Sequence, residues 1–157
     1  MAGGRKKKGT VGVVGLGIMG GAFARNLAAA GWRVIGYDLS AARRREASRA
    51  GVEIAGSTVD VAASAPTILI SLPKPQALTD TARKIAAAKL PRRLVVEMST
   101  FTIADKQKAA RVLAKAGHKM LDTPVSGTGA QAAARDLVFY ASGDTAEIKK
   151  LRPMFRD

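Results

Sequence analysis

The chain has 157 residues, enough for one core of ordinary size and too few for a second full domain at about 100 to 200 residues each. Hydrophobic residues make up 47%, charged residues 24%, and mean hydropathy is +0.03, which excludes a wholly disordered chain and predicts a folded globular protein. No Cys and a single His exclude disulfide frameworks, Cys/His zinc sites and cysteine nucleophiles, while Lys+Arg 26 against Asp+Glu 12 leaves +14, a charge that attracts polyanions.

Residues 1–8, with Arg5-Lys6-Lys7-Lys8, read as a basic flexible tail, and residues 9–157 as the single domain. The tail and the apolar stretch from Val11 to Ala24 together imitate a secretory signal, but Gly12, Gly15, Gly17, Gly20 and Gly21 interrupt that stretch, each at about 1 kcal/mol of helix relative to Ala. No other apolar run approaches the ~20 residues of a membrane span, so a cytoplasmic protein is expected.

Thr10 to Gly15 predicts a buried strand. From Met19 onward Ala22, Phe23, Leu27 and Ala30 recur at helical spacing, with Asn26 the polar exception. Trp32 to Tyr37 predicts the next strand, Ala41 to Ala50 a helix, and Val52-Glu53-Ile54 a third strand. Thr67 to Leu72 is apolar on both faces, as in a parallel sheet covered on both sides, and a helix carrying Leu78, Ala82 and Ile85 separates it from a further strand, Leu94 to Met98. Ala109, Val112, Leu113 and Ala116 line one helix face before a strand from His118 to Asp122; a last strand, Asp136 to Ala141, and a last helix, Asp144 to Phe155, follow. Ala-Gly precedes a strand at Gly31, Gly51 and Gly117, the sign of helices that stop in a left-handed cap. Ser57 with Asp60 and Thr102 with Asp105 have capping-box spacing, with Asp in place of Glu. The alternation predicts an α/β fold, a doubly wound and mostly parallel sheet.

Gly15-Leu16-Gly17-Ile18-Met19-Gly20 directly follows a strand and opens a helix. In that context GxGxxG has a mechanism: the first Gly makes the tight turn, the second lets a pyrophosphate reach the backbone, and the third permits close helix packing. The helix N-terminus adds unpaired N–H groups and about half a positive charge. Asp38, ending the second strand, stands where an acidic residue takes the ribose hydroxyls, and its charge repels the 2′-phosphate of NADP. A Rossmann-type domain binding NAD in preference to NADP is expected. Arg43, Arg44 and Arg45 read mainly as a solvated helix face, though one of them could turn toward a 2′-phosphate.

The run Val13 to Gly20, continuing to Asn26-Leu27 and Gly31, resembles the opening of the β-hydroxyacid dehydrogenases, the group containing 3-hydroxyisobutyrate dehydrogenase, tartronate semialdehyde reductase and 6-phosphogluconate dehydrogenase. Ser71-Leu72-Pro73 resembles the family's Leu-Pro turn beside the cofactor, and Glu97-Met98-Ser99-Thr100 the segment whose Thr contacts the nicotinamide half. Asp122-Thr123-Pro124-Val125-Ser126-Gly127 resembles its substrate loop. The resemblance implies cofactor contacts at Gly15, Leu16, Gly17, Ile18, Met19, Gly20, Asp38, Leu72, Pro73 and Thr100, and substrate contacts at Ser126, Gly127 and Thr128. A loop of that composition can offer a hydroxyl and backbone N–H groups to the carboxylate of a small 3-hydroxy acid. Thr128, Gln131 and Arg135 depart from the family's further glycines and would narrow or re-aim the pocket.

The family's catalytic Lys lies on a helix leading into an all-helical C-terminal domain, and no lysine of this chain matches its place; it is expected beyond Asp157. No catalytic residue and no metal ligand is assigned. Either a helical domain, a homo-oligomer or another partner completes the site, or the chain is a non-catalytic dinucleotide-sensing module. Nucleic-acid binding is the weakest alternative, because Phe23, Trp32, Phe139 and Tyr140 sit in apolar runs that read as core rather than stacking platforms. His118, Asp122 and Ser126 contain triad residue types, but their order alone carries no mechanism.

Overall fold

A computed structural model describes residues 8–157. The tail expected at 1–8 therefore lies outside the described residues except for Lys8, which is tied down: its Nζ lies 2.8 Å from Asp157 Oδ2.

Six strands form one parallel sheet in the order β3-β2-β1-β4-β5-β6. They are β1 (Thr10–Val14), β2 (Arg33–Tyr37), β3 (Glu53–Ile54), β4 (Thr67–Ile70), β5 (Leu94–Glu97) and β6 (Lys119–Asp122). The crossover helices are α1 (Ile18–Ala29), α2 (Ala41–Arg49), α3 (Thr58–Ser64), α4 (Pro75–Ala87) and α5 (Ile103–Lys115). The order reverses between β1 and β4, so the carboxyl ends of those two strands flank the crevice where such folds bind ligands. Strand residues of both parities are buried because the sheet has a core on each face. Val11, Val13, Val34, Leu69 and Val96 pack in one core, and Val14, Ile35, Ile68, Ile70 and Val95 in the other.

The three Ala-Gly joints are Schellman motifs. Gly31, Gly51 and Gly117 have φ of 99°, 90° and 84°. In each, the glycine N–H and the following N–H bond back into the last turn, as in Gly31 N to Ala28 O and Trp32 N to Leu27 O. Ser57 and Thr102 cap α3 and α5 by accepting the Asp60 and Asp105 N–H groups. The return contact differs from a capping box: each Asp carboxylate accepts from the capping hydroxyl, since a side chain one methylene shorter than Glu does not reach the cap's own N–H.

The C-terminal third departs most from expectation. The strand expected over Asp136 to Ala141 shrinks to β8 (Val138–Phe139), which pairs antiparallel with β7 (Val125–Ser126) in a separate two-stranded sheet. Between them lies α6 (Gly129–Ala133), opened by a complete capping box in which Thr128 Oγ1 accepts Gln131 N–H and Gln131 Oε1 accepts Thr128 N–H. Asn26, out of character on α1, donates from Nδ2 to Ala132 O at 2.9 Å and clasps α6 to α1. The last helix, α7 (Thr145–Arg156), is capped by Asp144, whose carboxyl falls to about 2 through Lys119 first and the Glu147 and Ala146 N–H groups beside it. Of the four aromatics expected in the core, Phe23 is buried and Phe139 stacks on Phe155 at 4.8 Å, but Tyr140 is 61% exposed. Phe139 and Trp32 are only partly buried.

His118 enters β6 at the edge of the sheet opposite the crevice. It is buried, and Nδ1 accepts the Arg93 N–H at 3.0 Å, so the ring proton sits on Nε2. The Ile85 carbonyl on that side eases the site slightly without making a hydrogen bond of good geometry. Burial first, and Arg93 second, hold its pKa below 6.5. The unfolded chain therefore takes up the proton more readily than the native one. Stability from this group is complete above pH ~6.5 and declines as pH falls below that value, by at most about 1.4 kcal/mol per pH unit, until the native ring also protonates. Urea midpoints between pH 7.5 and 5.5 check this: the fall is expected in the wild type and is expected to shrink in His118→Gln.

Candidate dinucleotide site

The crevice is built on β1 and the turn that follows it. Gly15 has φ +91°, and a Cβ there would stand 1.9 Å from the Ser71 carbonyl oxygen, so the turn requires glycine on two counts. A Cβ on Gly20 would meet the Gly15 carbonyl oxygen at 1.9 Å, which is how tightly α1 packs back on the turn. Gly17 differs from both. It has ordinary φ of −68°, and the atoms nearest a Cβ belong to the flexible end of Arg43, at 3.0 Å. Backbone packing does not demand glycine at 17, and the missing side chain leaves the backbone there bare.

Gly17 is the N-cap of α1, and no side chain caps that helix. Its first-turn N–H groups and the positive end of its dipole face an open cleft lined by Leu16, Gly17, Ile18, Arg25, Arg43, Glu46 and Gly129. Two guanidiniums, an uncapped helix start and a bare backbone are a donor set suited to a pyrophosphate. A more apolar cavity, lined by Phe23, Leu27, Leu69, Met98, Phe139 and Met154 among others, offers phosphates few partners.

Asp38 stands beside this corner, as its spacing predicts. Its Oδ2 accepts the Leu16 N–H and its Oδ1 the Ser40 N–H, both at 2.7 Å. The carboxylate is thus oriented by the backbone on either side and only 11% exposed. Arg43 and Arg45 are exposed, as a solvated face implies, but Arg44 and Arg43 also make contacts around Asp38. Arg44 donates to the Asp38 and Leu39 carbonyls at 2.6 and 3.0 Å and lies over the Tyr37 ring, while Arg43 Nη1 is 3.9 Å from Asp38 Oδ2.

The remaining expected residues gather on the same edge. Leu72 and Pro73 follow β4, and Leu72 N–H is held by Ser99 Oγ at 3.0 Å. Thr100, exposed, follows β5. Ser126, Gly127 and Thr128 are exposed too, and the start of α6 brings that loop against the glycine turn, with a Cβ on Gly129 falling 2.5 Å from Ile18 Cγ2. The capping box takes the Thr128 N–H, so that group is not free for a ligand, whereas the hydroxyl keeps its own proton to donate. Sequence reasoning missed the buried Lys106 of α5, because one Lys in a helical run carries no local signal. His118 and Asp122 stand at opposite ends of β6, about 13 Å apart at strand rise, and form no triad with Ser126. Among the described residues no three His, Cys, Asp or Glu could share a metal ion, and no helix is long and apolar enough to cross a membrane.

Strand order, glycine corner and the oriented carboxylate at the end of β2 define a dinucleotide-binding domain of the Rossmann type. The chain belongs to the family described as the NAD binding domain of 6-phosphogluconate dehydrogenase, whose model matches residues 10–157, and it is an NAD(P)-binding domain. It is 35% identical over 147 residues to the NAD-dependent L-serine dehydrogenase of Pseudomonas aeruginosa, covering 90% of this chain and 49% of that one. The structure of Mycobacterium tuberculosis 3-hydroxyisobutyrate dehydrogenase with L-serine superimposes with a TM-score of 0.89 at 30% identity, over 94% of this chain and 50% of that one. A protein solved in complex with NADP+ and 2-OPP gives a TM-score of 0.85 at 26% identity, over 93% of this chain and 53% of that one. The chain spans about half the length of the curated relatives it matches.

Proposed function

We propose that this chain is the cofactor-binding part of an oxidoreductase that moves a hydride between a nicotinamide cofactor and a small 3-hydroxy acid, with NAD preferred to NADP. The observation that carries the reading is the corner at Gly17, where backbone is left bare beside an uncapped helix start and an oriented Asp38 carboxylate. The α1 N–H groups and Arg43 hold the pyrophosphate, and Asp38 accepts from the ribose hydroxyls next to its two backbone donors. Leu72, Pro73 and Thr100 flank the nicotinamide half, which when bound supplies the hydride acceptor or donor. Ser126, Gly127 and the Thr128 hydroxyl offer donors to a substrate carboxylate. The lysine implied for proton transfer, worth about 10²- to 10⁴-fold in rate, is assigned to none of the lysines present and belongs to a helical domain or partner that completes the site. Small hydroxy acids as substrates rest on the relatives named above.

Calorimetric titration tests the cofactor reading. Saturable binding of NADH, tighter than that of NADPH, is expected; no heat from either at millimolar concentration would sink it.

A further inference from the structure

A chain of buried polar contacts runs along the carboxyl edge of the sheet, and nothing in the function just proposed uses it. Glu97, the last residue of β5, is fully buried. Its Oε1 accepts the Ser99 N–H at 2.8 Å, and Ser99 Oγ in turn accepts the Leu72 N–H that begins the segment after β4. On its other side, Glu97 Oε2 has no hydrogen bond of good geometry but lies 3.0 Å from Nζ of Lys106, which is 5% exposed on α5. The same ammonium donates to Asp122 Oδ1 at the end of β6, the register partner of Glu97. One side chain thereby joins the ends of β5 and β6 and, through Ser99, the end of β4.

Two charges withdrawn from water beneath an otherwise apolar helix face are an expensive way to fill space; a Met at 106 would pack there without desolvation cost. The charges do accomplish one thing an apolar side chain does not. Beyond the backbone bond from Thr123 N–H to Glu97 O at 2.8 Å, they tie the Asp122 side chain at the start of the Asp122-to-Thr128 loop to Glu97 and, through it, to Ser99 and Leu72. A dinucleotide whose adenosine half lies toward β2 crosses the reversal point and places its other half over the ends of β4 and β5.

We propose that Lys106 is a positioning residue, which locks the loop after β6 to the segments after β4 and β5 and so sets the geometry in which the nicotinamide half of the cofactor meets the substrate. This rests on the cofactor reading above. It also separates from that reading, because ADP-ribose engages only the glycine turn and Asp38, whereas NADH reaches the Lys106-braced edge as well.

The test compares ADP-ribose and NADH by calorimetry in the wild-type chain, in Lys106→Met, and in Glu97→Gln/Lys106→Met. The double variant keeps an acceptor for Ser99 N–H without a buried unpaired carboxylate, and carries the comparison if the single one fails to fold. ADP-ribose affinity is expected to stay within about twofold, while the ratio of NADH to ADP-ribose affinity falls roughly tenfold. Amide hydrogen exchange is expected to quicken in residues 98–100 and 122–128 and to stay unchanged in β1 and α1. An unchanged ratio, or parallel loss of both ligands, overturns the proposal, as does a double variant that cannot fold, which would make the network a requirement of the fold alone. A wild-type chain that binds neither ligand overturns the cofactor reading itself.

Discussion

Gly17→Ala is expected to abolish useful dinucleotide binding while the protein stays folded, and Gly15→Ala and Gly20→Ala are expected to unfold it. At 17 the backbone is in a conformation any residue adopts, and the crowding atom is the tip of Arg43, which can swing away. The stability cost is that of a poorer N-cap, within about 1 kcal/mol. The added methyl, however, stands where a phosphate must touch the first turn of α1, and affinity for NADH should drop roughly 100-fold, or ~2.7 kcal/mol. At 15 and 20 the methyl would overlap a backbone carbonyl oxygen at 1.9 Å, and at 15 it would also sit at φ +91°. Neither carbonyl can yield without separating β1 from the segment after β4 or lifting α1 off the turn. The cost is about 4 kcal/mol or more, against a total of roughly 5 to 15 for a domain. Urea unfolding of all three variants, with calorimetry on those that fold, checks the contrast. Equal stability losses at 15, 17 and 20 would mean that all three glycines serve packing alone.

Asp38→Ala is expected to cost the protein NAD and to change which cofactor it prefers. Removing the carboxylate deprives the ribose hydroxyls of a charged acceptor, at about 1.5 to 3 kcal/mol, so NADH affinity should fall roughly 10- to 100-fold. NADPH should suffer less. The charge that repels its 2′-phosphate is gone, and Arg43, now 3.9 Å from Asp38 Oδ2, is released to meet that phosphate. The NADH-to-NADPH affinity ratio is expected to shift toward NADPH by about tenfold or more, and Arg43→Ala in the same background should cancel the shift. The variant also leaves the Leu16 N–H without its acceptor, a stability loss of about 1 to 3 kcal/mol that urea unfolding would register. If both cofactors weaken equally, Asp38 acts only by shaping the turn.

What the chain reveals without coordinates is what short stretches of backbone dictate. The glycines at 31, 51 and 117 are legible because a left-handed residue after a helix is cheap only for glycine, and all three end helices in that way. Strands with apolar residues on both faces announce a sheet covered on both sides, and GxGxxG between strand and helix announces the tight, side-chain-free corner. Asp38 was legible through spacing, because one βαβ unit fixes how far a second strand's end lies from the first turn. The rest depended on residues brought together from far apart. Asn26 looks misplaced on α1 until Ala132, 106 residues later, supplies its acceptor. Gln131, read as an intruder in a binding loop, completes the capping box that makes α6. The strand expected near Val138 exists only as far as Val125-Ser126 is there to pair with it. Lys106, Glu97 and Asp122 become one network only when α5 is laid across β5 and β6. Propensities and caps act within a turn or two of chain, so sequence carries them; a hydrogen bond or ion pair between distant residues has no energy until packing closes the loop between them, so only the folded structure decides it.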